Sequence, residues 1–308
     1  MTIHTLLPPR VVAGYAGRDE HDPAVLAALE LRRQLDLELE VVHAVPRPRF
    51  QRGTGHLASS VDEYERLESS VEARASALFG ELLRAHGDDP GGSDLLRFVA
   101  GAPATALIDR AAEWPADLVV LGPHARRGHI DFGGTARTVL GKSPCNVWTQ
   151  PGAPRRIRHV LVPVDVSEHS LAALRLARAL GQVLEARLTV LHAYIPPFFS
   201  YSQEAIDLEA ATSLDLIESD RRLDVHEFDE LLADFEWGDV AHEVEWHEGR
   251  PDELVLAHPD VDLVVMGTHG RSGIAPSILG SVAYEVLRRS EVPVLAVHQP
   301  KRRIRLGD

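Results

Sequence analysis

A glycine-rich loop that ends in serine is the segment of this sequence best suited to binding phosphate. Gly267 and Gly270 are followed by Gly280 and Ser281, with nine residues between the second and third glycines. Glycines let backbone N–H groups approach an anion, and a helix that begins at Ser281 would present unpaired N–H donors. The apolar run 262–266 before the loop predicts a buried strand. The order strand, loop, helix therefore predicts a phosphate-binding turn, although an ordinary strand-to-helix turn would also use glycines. No Gly-Lys-Ser/Thr closes the loop, so it is not a Walker A motif.

Asp165 is the second candidate, because it follows the apolar run 160–164. In doubly wound sheets, ligands bind beyond the carboxyl ends of the strands where the strand order reverses. A carboxylate at that place could accept hydrogen bonds from ribose hydroxyls, while a helix cap or turn is the alternative role. If the strands that end at Asp165 and Gly267 are neighbours, both groups face one crevice.

Three other side chains could take part in chemistry. Arg271 could reach a terminal phosphate with its forked donors, or be a solvated loop residue. His269 is expected to serve the backbone or the packing, and Cys145 is expected to be a buried, inert thiol. The 16 histidines form no tight Cys/His cluster and no His-Glu-x-x-His motif, so no metal site is predicted. No catalytic group is predicted either.

These residues lie in a chain that repeats one unit of strands alternating with helices, which predicts parallel sheets covered on both faces. The predicted strands of the first half are 11–15, 40–44, 96–99, 117–121 and 146–148, and those of the second half are 160–164, 189–193, 242–246, 262–266 and 294–297. The predicted helices are 24–33, 61–86 and one after Pro103, then 170–180, 203–235 and one each after Pro251 and from Ser281. The Pro- and Gly-rich segment 150–156 is a linker, which predicts two α/β domains at 1–150 and 157–308.

The second half resembles a universal stress protein domain of the nucleotide-binding subclass. The hallmark of that family, glycine, two residues, glycine, nine residues, glycine and serine or threonine, is complete from Gly267 to Ser281. Asp165 matches the ribose-binding aspartate of the family, and His192-Ala193 matches the segment that receives adenine through its backbone. The resemblance implies the adenine nucleotide alpha hydrolase-like fold, with a parallel five-stranded sheet of order 3-2-1-4-5 in each half. Strands one and four are then neighbours.

The resemblance also implies ATP as the ligand of the second half, with Mg²⁺ carried on the phosphates because no carboxylate pair is seen to hold it. Backbone N–H groups of Gly270, Gly280, Ser281 and Val282 are expected to face the phosphates. The full set of expected binding residues is Pro163, Val164, Asp165, Ala193, Met266, Gly267, His269, Gly270, Arg271, Gly280, Ser281 and Val282.

The first half departs from the family pattern at the same positions. Ala16 stands in place of the aspartate, and Ala125 in place of the second glycine. Only eight residues then separate Ala125 from Gly134-Thr135, so the loop is one residue short. We expect a degenerate, structural first domain. In the alternative, Arg126 and Arg127 retain some anion affinity, and this domain binds ATP less tightly or holds another ligand.

Three functions are compatible with these features. The first is a stress-response protein that acts as a nucleotide-dependent regulatory or binding module. The second is a slow ATPase or an autophosphorylating protein with Ser281 or Ser272 as acceptor, and the third is a structural pseudo-dimer without nucleotide. Beside the loop there is no convincing candidate for a residue that orients the attacking water, which favours binding over hydrolysis.

Composition limits the partners and the compartment. The formal net charge of -14 argues against a nucleic-acid binder and against adsorption on an anionic membrane. No apolar run approaches ~18 residues, no secretion signal is seen, and the single cysteine fits a reducing compartment, so we expect a cytoplasmic protein. Family members commonly pair through the fifth strand, which implies intramolecular pairing of the two domains. Whether a homodimer also forms is left open.

Overall fold

The computed structural model describes residues 9–18, 21–45, 57–88, 94–123, 133–196, 214–270 and 279–298, and the side chains of the two long helices from 65 and 217 onward. Contacts between Cα atoms divide these residues into two compact units, within 8–154 and 155–299. Several candidates from the sequence lie outside the described residues: Ala125, Arg126, Arg127, Arg271 and Ser272.

The first unit is a parallel five-stranded sheet. Its strands are β1 (Arg10–Tyr15), β2 (Glu38–Val45), β3 (Leu96–Ala100), β4 (Leu118–Leu121) and β5 (Asn146–Thr149), in the order β3-β2-β1-β4-β5. Its helices are α1 (Pro23–Gln34), α2 (Leu57–Ala85), α3 (Pro103–Glu113) and α4 (Gly134–Lys142).

The second unit repeats this plan. Its strands are β6 (His159–Pro163), β7 (Arg187–Tyr194), β8 (His242–Glu248), β9 (Leu263–Gly267) and β10 (Val294–Val297), in the order β8-β7-β6-β9-β10. Its helices are α5 (Glu168–Leu184), α6 (Leu214–Ala233), α7 (Pro251–Ala257) and α8 (Ser281–Arg289).

The predicted order 3-2-1-4-5 is confirmed in both sheets. β1 and β6 lie at the centre, and their apolar side chains are buried because helices cover both faces of a parallel sheet. The helices α3 and α7 begin at Pro103 and Pro251, where proline's missing N–H costs no hydrogen bond. Because β6 is the neighbour of β9, the residues that follow these two strands meet at one edge of the sheet.

The edge strand β8 differs from the central strands. Five of its seven residues are exposed, including Val244 at 46%. The expectation of strands buried on both faces was wrong for β8, because the last strand of the order lacks the cover that the centre receives.

One repeat position is stabilised differently in the two units. Glu40 on β2 is 8% exposed and accepts two hydrogen bonds from Arg110 on α3, at 2.6 and 2.7 Å. These bonds hold the pKa of the Glu40 carboxyl below its usual range. The aligned residue on β7 is Thr189, whose hydroxyl lies 2.8 Å from Nε2 of His159. A buried ion pair in one unit is thus a neutral polar contact in the other.

Among the described residues, no helix is long and apolar enough to cross a membrane. Cys145 is half-buried rather than fully buried, and burial raises the pKa of its thiol to about 11. A thiol with so high a pKa is mostly protonated at neutral pH and reacts slowly.

Candidate functional site

The N-terminus of α8 presents unpaired backbone donors. The first N–H group that bonds within this helix belongs to Tyr284, which donates to Gly280 O at 2.8 Å. Gly280 is the N-cap and no side chain caps the helix. The N–H groups of Ser281, Val282 and Ala283 therefore lack partners within the helix, as is general for a first turn, and can serve an anion.

Gly280 has a different role from the one expected. Its N–H donates to the carbonyl of Thr268 at 2.8 Å, so this amide is already used and does not face an anion. The bond ties the segment after β9 to the start of α8. A Cβ at Gly280 would lie 3.3 Å from the same carbonyl, so the close approach explains the glycine.

The other two glycines of the motif allow close packing at the same place. A Cβ at Gly267 would lie 3.0 Å from the backbone carbonyl carbon of His169, near the start of α5. A Cβ at Gly270 would collide with Oδ2 of Asp165. The loop and the carboxylate that the sequence proposed as a pair are therefore adjacent.

Asp165 is not the N-cap of the following helix. Ser167 takes that role, with its hydroxyl accepting from Ser170 N at 3.2 Å. Asp165 Oδ1 accepts from the Ser167 hydroxyl at 2.6 Å, which orients the carboxylate. Oδ2 is the oxygen that faces Gly270.

Val166, directly after Asp165, has a φ of 61°. This left-handed conformation is costly for a β-branched residue, and strain of this kind is often found at functional sites. The corresponding residue of the first unit is Gly17, with a φ of 64°. The same turn therefore carries strain only in the second unit.

A cavity of about 580 Å³ lies beside these groups, within the size range of small-molecule sites. Eleven of the twelve expected binding residues are described, and all eleven line it: Pro163, Val164, Asp165, Ala193, Met266, Gly267, His269, Gly270, Gly280, Ser281 and Val282. The twelfth, Arg271, lies outside the described residues. Ala193 lies inside β7, which continues to Tyr194.

Helix α6 supplies a wall of the cavity that sequence reasoning missed. Asp220, Leu223, Asp224 and Glu227 line it from that helix. Their spacing of three and four residues places them on one face of a helix, but nothing in this polar segment shows which face turns to the sheet. The remaining lining residues are His192, which the sequence matched to the adenine segment, and a set that the sequence did not indicate: Ser170, Leu191, Tyr194, Ile195, Pro251, Val255, Thr268 and Ala283.

His192 joins this wall to the end of β6. Its Nδ1 lies 2.7 Å from Val164 O, and its Nε2 lies 2.6 Å from Asp224 Oδ2. Both partners are oxygen atoms, so the two contacts hold the buried ring between the end of β6 and α6. It also stacks on Phe228, with 4.6 Å between ring centroids.

A second polar contact joins β7 to α6. The hydroxyl of the buried Tyr194 donates to Asp220 Oδ2 at 3.0 Å. Burial, together with the hydrogen bond to Asp220, raises the pKa of Tyr194 to about 12. The phenol therefore keeps its proton at neutral pH.

His269 lies in the loop with contacts on two sides. Its Nδ1 is 2.9 Å from the Thr268 hydroxyl, and its ring centroid is 5.3 Å from that of His169. These contacts suit the packing role expected of this residue.

The amide that follows the first strand of each unit donates to a carboxylate in the first unit and to a hydroxyl in the second. Asp22 Oδ2 accepts from Ala16 N at 2.9 Å, whereas the matching amide of Asp165 donates to Ser170 Oγ at 3.3 Å. Asp22 is 7% exposed, and its Oδ1 lies 3.8 Å from the place of a Cβ on Gly122. A negative charge stands here close to the first glycine of the degenerate loop. The pair Asp22-Pro23, an N-cap followed by proline at the first helical position, was the sequence signal for it.

Helix caps correct the alignment of the two loops. Gly133 is the N-cap of α4 and Gly280 that of α8, and each carbonyl accepts from the residue four positions later. Gly134 therefore corresponds to Ser281, not to Gly280. The first loop is two residues short rather than one, and the first position of the helix that follows it, Gly134, has no hydroxyl.

The residues that the structure describes contain no group of three His, Cys, Asp or Glu side chains arranged to hold a metal ion.

Comparison with known proteins assigns the family. The sequence profile of the universal stress protein family matches residues 9–150 and again 156–298. The chain belongs to the universal stress protein family, as a tandem member. A universal stress protein of Thermus aquaticus is 33% identical over 150 residues, which is 45% of this chain and 96% of that protein.

Solved structures of the family share the fold. A universal stress protein from Archaeoglobus fulgidus aligns with a TM-score of 0.62 at 18% identity, over 94% of this chain and 98% of its own. A universal stress protein solved in complex with cAMP is 27% identical, covers 47% of this chain and 98% of its own, and has a TM-score of 0.30.

Proposed function

We propose that the second domain binds ATP in this cavity, with Mg²⁺ carried on the phosphates, and that the protein is a nucleotide-dependent regulatory or binding module of the stress response. The observation that carries the proposal is the meeting of three groups at one edge of the sheet. These are the uncapped first turn of α8, the glycine loop and the carboxylate of Asp165.

Each group suits one part of the ligand. The amides of Ser281, Val282 and Ala283, with the helix dipole, would offset the charge of the phosphates. Asp165 Oδ2 would accept from the ribose hydroxyls. The backbone of Ala193, on the neighbouring strand, would lie at the base. We place the first domain in a structural role, because Ala16 supplies no carboxylate for the ribose and Gly134 lacks the hydroxyl of Ser281.

The test compares the same substitution at one glycine of each domain. Gly270→Ala would set a methyl group against Asp165 Oδ2, whereas Gly134→Ala meets nothing within 4 Å. We expect Gly270→Ala to weaken ATP binding by about tenfold or more and Gly134→Ala to leave it unchanged. Titration calorimetry with ATP, ADP, AMP and cAMP, each with Mg²⁺, measures this, and urea unfolding of both variants shows that they are folded.

Co-purified ligand gives an independent result. Mass spectrometry of the denatured protein should release an adenine nucleotide, and less of it from Gly270→Ala. If neither mass spectrometry nor calorimetry detects a nucleotide on the unaltered protein, the proposal is wrong. Phosphate release at many turnovers per minute that Gly270→Ala abolishes would replace the binding module with an ATPase.

A further inference from the structure

The two ends of the cavity differ in chemistry. The end at the glycine loop offers backbone amides and the hydroxyl of Ser281. The end at α6 offers the carboxylates of Asp220, Asp224 and Glu227. A phosphate fits the first end and is repelled at the second, so a ligand that carries both an anion and a neutral base has one orientation.

The carboxylates at the α6 end are not equivalent. Asp224 Oδ2 lies 2.6 Å from Nε2 of the buried His192, so this oxygen already has a partner within the protein. Asp220 is bonded to a phenol that stays protonated, so its negative charge is not cancelled by that partner. A carboxylate accepts up to about four hydrogen bonds, and the one from Tyr194 leaves capacity for a ligand donor.

Exposed apolar side chains stand beside Asp220. Leu223 is 63% exposed and Ile195 is 41% exposed, and both line the cavity. A flat aromatic base would cover these side chains and gain from their removal from water. Asp220 is a hydrogen-bond acceptor next to these apolar side chains, so it favours a base whose edge carries an N–H donor.

We propose that Asp220 determines the base specificity of the site by accepting a hydrogen bond from the exocyclic 6-amino group of a purine. This inference depends on the proposed nucleotide site and assigns a specificity that the site itself does not require. A 6-oxo purine presents an oxygen at that position, which the carboxylate repels. The His192–Asp224 and Tyr194–Asp220 contacts hold the face of α6 that carries Asp220 against β7.

The experiment measures the ratio of the affinities for ATP and inosine triphosphate, which differ in the 6-substituent and in the hydrogen that N1 of the 6-oxo purine carries. The unaltered protein should prefer ATP by about tenfold or more. Asp220→Asn should bring the ratio to one or below, because an amide can donate to the 6-oxo group. Asp220→Ala should remove most of the preference without reversing it. Asp229→Asn, which removes the same charge from an exposed position of the same helix outside the cavity, should retain the ratio of the unaltered protein.

The outcomes separate this inference from the function on which it depends. If ATP binds and both Asp220 variants keep the original ratio, Asp220 does not read the base and the inference is overturned while the nucleotide site stands. If the unaltered protein binds neither nucleotide, both are overturned. A parallel change in Asp229→Asn would assign the effect to the charge of the helix and would also overturn the inference.

Discussion

Val166 has a backbone conformation that a β-branched residue rarely adopts, and it follows the carboxylate of the proposed site. Its φ of 61° matches the 64° of Gly17, the residue at the same place in the first domain. The two domains therefore contain a natural comparison between a glycine and a valine in one turn.

Replacing Val166 with glycine should stabilise the protein by about 1 kcal/mol. Relief of a left-handed β-branched residue gains about 1–3 kcal/mol, and the greater freedom of glycine in the unfolded chain costs about 0.5–1 kcal/mol. Urea unfolding monitored by circular dichroism measures the difference.

The reverse change at Gly17 serves as the control. A Cβ at Gly17 would lie 2.7 Å from Cε1 of His43, so Gly17→Val should destabilise the protein by several times the gain at Val166. If Val166→Gly lost stability instead, the burial of the valine side chain would outweigh the backbone strain.

At the scale of elements, the buried pair Glu40–Arg110 fastens α3 to β2. Arg110→Met should cost about 3–5 kcal/mol, because it removes both hydrogen bonds to a buried carboxylate and leaves only the more distant Arg97, at 3.6 Å. Arg33→Met removes a surface partner of Asp88 at 2.7 Å, where both side chains are more exposed, and should cost less than about 1 kcal/mol. Equal losses in the two variants would contradict a special role for the buried pair.

The same pair fixes a pH dependence. The pKa of Glu40 is lowered in the folded protein, so its contribution is complete above the unfolded value near 4.5 and is lost as pH falls through the folded value. The difference in unfolding free energy between the unaltered protein and Glu40→Gln should therefore be largest at neutral pH and shrink in acid. If this difference in unfolding free energy grew as the pH was lowered from 5 to 3, the pKa of Glu40 would not be lowered in the folded protein.

Local patterns were sufficient to place most elements. Glycine and proline positions marked the starts of α3, α7 and α8 to the residue, because these residues restrict the backbone directly. The role of α6 could not be predicted, since it depends on contacts such as His192 to Asp224, which are 32 residues apart and of no fixed spacing. The use of the Gly280 amide was also beyond the sequence, because a motif gives no hydrogen-bond partner.

At the scale of the whole molecule, the repeat contains an asymmetry between its domains. Asp165, the complete glycine loop and Ser281 occur together in the second domain. The first domain has Ala16, a loop two residues shorter, and the buried Asp22 near its first glycine. The sequence indicated Ala16 and a loop one residue short; the caps of α4 and α8 make the loop two residues short, and the place of Asp22 follows from its hydrogen bond with Ala16 N.

The expected consequence is a stoichiometry of one ATP per chain. The first domain offers no carboxylate at Ala16 for ribose hydroxyls and no hydroxyl at Gly134 for a phosphate oxygen, so it lacks two of the groups on which the proposed site depends. Calorimetry, with the concentration of active protein determined independently, gives the number of ATP molecules bound per chain. Asp165→Asn should reduce the heat of the whole titration. Two bound nucleotides per chain would show that the first domain keeps a working site.

The bond between Gly280 N and Thr268 O has a use in protein engineering. It joins the chain on either side of residues 271–278, so the spacing of Thr268 from α8 does not depend on how many residues lie between. The first domain already begins α4 with the same cap geometry after a shorter loop. A reporter group inserted among residues 271–278 would then leave the anion donors of α8 in place, which makes this segment the preferred insertion point for a fluorescent sensor of the proposed nucleotide.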